Sequence, residues 1–150
     1  MKNLKKNDIV ELEILDNGMN FEGIARVDNK VVFVPEAIKG EKILAKIIKV
    51  NNSFCIGKIQ EIKEKSKKRS EPFCSVYKRC GGCSGQHISY EKQLDIKYDL
   101  VKATLAKQKV EYKELTKVVG MGIPFNYRNK AQYPVRKNMD GENKIGFYAK

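Results

Sequence analysis

Three of the chain's four cysteines, Cys74, Cys80 and Cys83, fall in one short run, F-C-S-V-Y-K-R-C-G-G-C-S-G-Q-H, from Phe73 to His87. No other stretch constrains the fold so sharply. Thiolates this close in sequence converge on one soft metal centre more readily than they pair as disulfides. The pair Gly81-Gly82 strengthens that expectation, because glycine lets a backbone wrap closely and turn its amides toward sulfur. The competing reading is a solvent loop that carries three thiols, which would oxidise readily. A tetrahedral zinc or a four-iron cluster takes four donors, so one is missing. Cys55 could supply it, although a lone cysteine in a strand more often serves as a small core hydrophobe. His87, the only histidine, would give a three-cysteine, one-histidine zinc site, and the third option is a cysteine beyond Lys150.

Charge points to the partner. Lysine and arginine number 30 against 18 aspartates and glutamates, a formal charge of +12, which favours a polyanion. Residues 1–60 are nearly balanced, with 10 basic and 8 acidic side chains, whereas 61–110 carry 12 and 6. No apolar run approaches the ~20 residues of a membrane span. The opening M-K-N-L-K-K-N-D lacks the apolar core of a signal peptide. No membrane partner is therefore expected, and a reducing, cytoplasmic setting suits the unpaired thiols.

In chain order, 8–15 (D-I-V-E-L-E-I-L) places Val10, Leu12 and Ile14 on one face at period two, a half-buried strand. Asp16-Asn17-Gly18 reads as a turn, and 21–27 as a second strand. Asp28-Asn29 reverses the chain into a third at 30–34. Two longer strands follow, 42–50 and 53–62. Five strands in about sixty residues predict a small, closed or nearly closed OB-like barrel, a fold that often binds single-stranded nucleic acid. The run 63–72 is a basic linker. Ser89 is a candidate N-cap for a helix over 90–109, with Leu94, Tyr98, Val101 and Leu105 as its core stripe. A hairpin of 131–136 and 144–149 closes the chain. The fold class is thus mainly β with one helix: a barrel over 1–62, the linker, a cysteine loop and helix over 73–110, and the opening of a further region over 111–150.

The pattern G-M-N-F-E-G-I-A-R-V from Gly18 to Val27, followed by V-F-V-P-E-A-I-K-G-E from Val32 to Glu41, resembles the TRAM domain, an RNA-binding β-barrel attached to RNA-modifying enzymes. The run C-S-V-Y-K-R-C-G-G-C-S-G-Q-H-I-S-Y-E-K-Q-L-D-I-K from Cys74 to Lys97 resembles the iron–sulfur segment of bacterial RNA uracil-5-methyltransferases, which make 5-methyluridine from S-adenosylmethionine. Y-R-N-K-A-Q-Y-P-V at 127–135 and I-G-F-Y at 145–148 extend the likeness, which is nearer to the ribosomal-RNA branch. It implies that Cys74, Cys80 and Cys83 ligate a [4Fe-4S] cluster whose fourth ligand lies just past Lys150. It also implies that the S-adenosylmethionine pocket, the nucleophilic cysteine and the proton-abstracting carboxylate belong to a large domain outside these residues. On that reading the chain is an N-terminal portion with no catalytic residue of its own. Radical methylthiotransferases also carry TRAM domains and three cluster cysteines, but with three and two residues between the cysteines rather than the five and two found here.

RNA binding is the task this leaves. Lys78, Arg79, Arg128, Lys130, Arg136 and Lys137 are the candidate phosphate contacts, and Tyr77, Phe125, Tyr127 and Tyr133 the candidate stacking platforms. The main rival is a stand-alone RNA-binding module with zinc on Cys74, Cys80, Cys83 and His87.

Overall fold

The computed structural model describes residues 4–150. The strand alternation expected at the start is present. Strand β1 (Ile9–Glu13) buries Val10 and Leu12 and exposes Ile9, Glu11 and Glu13. Strand β2 (Asp16–Asn17) follows at once, occupying the predicted turn. Strand β3 (Gly23–Val27) and β4 (Lys30–Val34) form the expected two-residue hairpin, with Asp28 in the left-handed region at φ 49°. Strand β5 (Lys42–Val50) pairs along most of its length with β6 (Phe54–Glu64), with several bulges that bend the pair.

These six strands form one sheet in the order β1-β5-β6-β4-β3-β2. The expected closed, OB-like barrel is corrected by that order, because the described strands leave the sheet open at β1 and β2. Both edges belong to one short stretch of chain. Ile14 and Leu15 bend it away from the β1–β5 ladder, and their amides bond to the carbonyls of Glu41 and Ile24. The sheet therefore curls without a continuous ladder across the seam. Pairing of β4 with β6 is parallel, which the run of hairpin signals did not suggest. Val10, Leu12, Ile14, Val32, Val34, Ile43, Ile47 and Cys55 fill the space inside the curl. Cys55 is fully buried there, a small core hydrophobe rather than a ligand.

Helix α1 (Tyr90–Lys107) starts where expected, with the Ser89 hydroxyl accepting from the Lys92 amide at 3.4 Å. Its inward face differs from the predicted stripe. Ile96 is the buried residue, and with Leu100 it meets Phe21, Ile38 and Ile88 on the outside of the curled sheet. Val101 is half exposed. Leu94 and Tyr98 instead face the irregular segment after the helix: the Tyr98 hydroxyl donates to Leu115 O, and the Met121 amide donates to the Tyr90 hydroxyl at 2.8 Å. Two faces of α1 are in use, and a period of three and four identified only the weaker one. Beyond it, β7 (Val135–Lys137) and β8 (Asn143–Ile145) make a short hairpin, exposed on every residue.

Candidate nucleic-acid interface and the cysteine loop

The loop that should have gathered three thiolates is held by other means. Among the described residues no three or more histidine, cysteine, aspartate or glutamate side chains come together in a way that could hold a metal ion. The expected [4Fe-4S] set of Cys74, Cys80 and Cys83 is therefore overturned, and so is the zinc site that adds His87. The Tyr77 amide bonds to Cys74 O and the Cys80 amide to Val76 O, winding the loop into turns. Cys83 is exposed, Cys74 and Cys80 are half-buried, and all four cysteines are free. Cys80 Sγ accepts a hydrogen bond from the Gly82 amide at 3.4 Å.

His87 is committed elsewhere. It is buried, and its Nδ1 is hydrogen-bonded to the Tyr77 hydroxyl at 2.8 Å, while Nε2 has no partner among the described residues. Burial and the nearby Arg69 guanidinium push the His87 pKa down to about 4, so the ring is neutral at pH 7. Burial, helped by Glu36, pushes the Tyr77 phenol up to about 12. Tyr77, offered above as a stacking platform, is only 2% exposed and takes no base.

The glycine pair serves close backbone approach as well as the Gly82 amide's contact with sulfur. Gly81 donates to Tyr148 O at 2.8 Å, Lys150 donates to Arg79 O at 2.9 Å, and Cys80 and Ala149 form an antiparallel bridge. A Cβ on Gly81 would stand 2.9 Å from Tyr148 O, and one on Gly82 would stand 3.0 Å from the Phe147 ring. Lys150 completes the clamp, its ammonium 3.6 Å from the Tyr77 ring centre and paired with Glu36 at 2.5 Å.

One residue of the basic linker is not solvated. Arg69 reaches into the sheet and grips Glu41, which is fully buried, through Nε at 2.8 Å and Nη2 at 2.6 Å. The Ile38 and Ser66 amides donate to the same carboxylate, and Arg69 also donates to Glu36 O. Burial opposes ionisation of Glu41, but the Arg69 and backbone hydrogen bonds outweigh it and hold the pKa below the usual value. The composition of the linker carried no signal for this, since Arg69 sits among Lys65, Lys67 and Lys68 in an ordinary charge run.

The remaining candidates lie on the surface. Lys78, Arg79, Arg128, Lys130, Arg136 and Lys137 are all exposed. Arg128 and Lys130 line one cavity with Ala131, Gln132 and Phe147. Arg136 lies over the Tyr148 ring at 5.3 Å, and the Arg79 carbonyl accepts from the Lys150 amide, two residues along the chain from that ring. Lys78 and Lys137 join no such cluster. Phe125 packs edge-on with Phe73 at 5.2 Å, Tyr133 lies 5.1 Å from Phe147, and Tyr127 is well exposed. Cations and aromatic rings thus interleave over 125–148. Gln132 and Phe147 were missed from the sequence as site residues, although each lies inside a motif already singled out.

Residues 4–63 match the model of the TRAM domain. The TRAM match covers the curled sheet and stops as β6 ends. Over nearly its whole length the chain is homologous to proteins bearing the name "uncharacterized RNA methyltransferase". A protein of that name from Clostridium acetobutylicum is 49% identical over 97% of this chain and 32% of its own length. Another, from Staphylococcus aureus strain COL, is 41% identical over 99% of this chain and 33% of its own length. The chain thus spans about a third of the length of the curated relatives it matches. The solution structure of a conserved protein from Methanococcus maripaludis is 39% identical, with a TM-score of 0.37, covering 40% of this chain and 89% of that one. No helix among the described residues is long and apolar enough to cross a membrane.

Proposed function

We propose that this chain is the RNA-holding part of an RNA methyltransferase, and that the enzyme methylates C5 of a uridine, in ribosomal RNA. The observation that carries the reading is the 49% identity, across 97% of the chain, to a protein named as an RNA methyltransferase. The likeness of the 127–135 and 145–148 motifs to uracil-5-methyltransferases supplies the base and the atom. Lys78, Arg79, Arg128, Lys130, Arg136 and Lys137 contact phosphates, and the exposed rings nearby add stacking. In this division of labour, 1–62, the Lys78-Arg79 pair of 73–110 and 111–150 present RNA-binding surface, while 63–72 and the rest of 73–110 connect them.

Methylation at a pyrimidine C5 needs a thiolate to add at C6, so that C5 becomes nucleophilic, and then a base to remove the C5 proton. None of the four cysteines suits the first task. Cys55 is sealed in the core, and Cys74, Cys80 and Cys83 lie in the loop, where the family resemblance assigns no nucleophile. The methyl-transfer step is therefore assigned to none of these residues. The cytoplasm, where RNA substrate and free thiols coexist, is the proposed site of action.

Two measurements test this. Fluorescence anisotropy with a single-stranded RNA should show binding that weakens with salt, the slope of log K falling by about 0.7 per phosphate neutralised. Substituting Arg136→Glu with Lys137→Glu should weaken it further. No binding at ~50 mM salt would end the RNA-holding assignment. Separately, the C. acetobutylicum relative with these 150 residues in place of its own matching third should form 5-methyluridine in unmodified ribosomal RNA, read by nucleoside mass spectrometry. A different methylated nucleoside would overturn the choice of uridine C5.

A further inference from the structure

The cavity between the 128–132 segment and Phe147 has a volume of about 330 Å³, at the small end of the ~300–1,000 Å³ typical of ligand sites. Its lining is chemically selective. Arg128 and Lys130 supply two cations, and no salt bridge takes up either among the described residues. Gln132 brings a primary amide, donor and acceptor side by side, and no hydrogen bond among the described residues engages it. Phe147 brings a flat apolar wall. That wall is held in place from behind: Gly82 lies close against the ring, and Tyr133 packs beside it at 5.1 Å. A positioned ring, an amide and two cations around a small cavity match one nucleotide, which has a planar base, a hydrogen-bonding edge and a phosphate.

We propose that this cavity binds a single unpaired nucleotide of a single-stranded RNA, its base against Phe147, its edge on the Gln132 amide and its phosphate on Arg128 and Lys130. The inference rests on the RNA-holding reading above and adds a specific site to it. A paired nucleotide is excluded, because its edge is already engaged and its faces are covered by its neighbours. The site is therefore a sensor of unpaired RNA, distinct from the diffuse basic surface, which attracts any phosphate backbone.

The test uses the 150-residue chain with a ten-nucleotide single-stranded RNA and a duplex RNA of the same length, both followed by anisotropy. Phe147→Ala should weaken single-strand binding on the order of tenfold, with an unchanged salt slope and little change for duplex. Phe147→Trp should restore it. Arg128→Ala with Lys130→Ala should instead flatten the salt slope by about 0.7, the contribution of one phosphate. Because truncating Phe147 also removes the contact with Gly82, Gln132→Ala provides a second, exposed variant, expected to weaken single-strand binding several-fold. In the wild type, the Gln132 side-chain amide signals should shift on titration with the same RNA. If wild-type chain binds RNA while Phe147→Ala and Gln132→Ala bind it equally well and the amide signals stay fixed, the cavity is not a nucleotide site and the RNA-holding reading survives. If wild-type chain binds neither RNA, both fall.

Discussion

The curled sheet and the C-terminal forty residues draw on the same apolar side chains and treat them in opposite ways. Between Ile9 and Ile62, strands alternate, ladders pair, and Val32, Val34, Ile43, Ala45 and Ile47 are sealed from solvent. Between 111 and 150, Val119 is 94% exposed, Ile123 73% and Ile145 71%. Only three residues of β7 and three of β8 pair, and neither face of that hairpin is covered. A two-stranded ribbon cannot bury both faces by itself. Alternation is therefore not enough for a core; a second layer must arrive, and the sheet supplies its own by curling. Its apolar residues hold the fold, whereas those of 125–148 are available to something else.

The largest expected effect concerns the tie between the sheet and the rest. Arg69→Met leaves the Glu41 carboxylate buried with only two backbone donors, Ile38 N and Ser66 N. Removing one partner of a buried pair costs about 3–5 kcal/mol. Urea unfolding at pH 7 should show a loss of that order, and a loss below ~1 kcal/mol would mean the backbone donors satisfy Glu41 by themselves. Slightly smaller effects come from the contrast itself. Ile47→Ala should cost about 2–5 kcal/mol, through lost burial and the cavity left behind. Ile145→Ala should stay within ~0.5 kcal/mol, as for a surface change. Equal costs at the two positions would break the comparison, since 111–150 would then share the cooperative core.

What the sequence conveyed follows the same divide. Period-two alternation located β1, and the turn signals between strands placed β3 to β6 within a few residues, because both are local features of the chain. The Ser89 cap was legible for a similar reason, since a cap is a contact between near neighbours. Long-range choices were not legible. Curling without closure depends on how Ile14 and Leu15 leave one ladder for another, and Glu41 finds Arg69 across 28 positions. The cysteine spacing misled for a related reason. Short spacing makes convergence possible, but among the described residues the three thiols do not come together as a metal-holding group. Gly81 and Gly82 do mark a close approach, as expected of such a pair, but Phe147 and Tyr148 are what approach.

A pH series sharpens the comparison at the one place where the cysteine loop is as dry as the sheet. His87, the only histidine, has its pKa lowered to about 4 in the folded chain against about 6.5 when unfolded. Above pH 6.5 the ring is neutral in both states and its full contribution is present. Between 6.5 and 4 the unfolded chain takes up the proton first, so stability falls as pH falls, by up to ~3 kcal/mol. Glu41, with its pKa also lowered, adds a further loss only as pH drops through its own folded value, below 4.5. Urea midpoints at pH 7, 5.5 and 4.5 should decline for wild type and much less for His87→Gln. Ring-proton chemical shifts give the pKa directly, and titration near 6.5 would mean that the loop is open to water.

The smallest global effect belongs to the seam where the two regions meet. In Gly81→Ala the new Cβ would stand 2.9 Å from Tyr148 O, the atom that accepts the Gly81 amide. Backbone has to move, so both that hydrogen bond and the neighbouring one from Lys150 N to Arg79 O should weaken. The Phe147–Lys150 segment holds no core residue, and the sheet's ladders do not pass through it. The urea midpoint should therefore shift by less than ~1 kcal/mol, while hydrogen exchange at the Gly81 and Lys150 amides rises well above wild type and exchange in β5 and β6 stays slow. That outcome would separate a C-terminal surface clipped onto the loop from one that folds together with the sheet. A fall in β5 and β6 protection to match the seam would show the reverse: the exposed rings of 125–148 would then be linked to the core's stability, and the contrast between the two regions would be one of exposure alone.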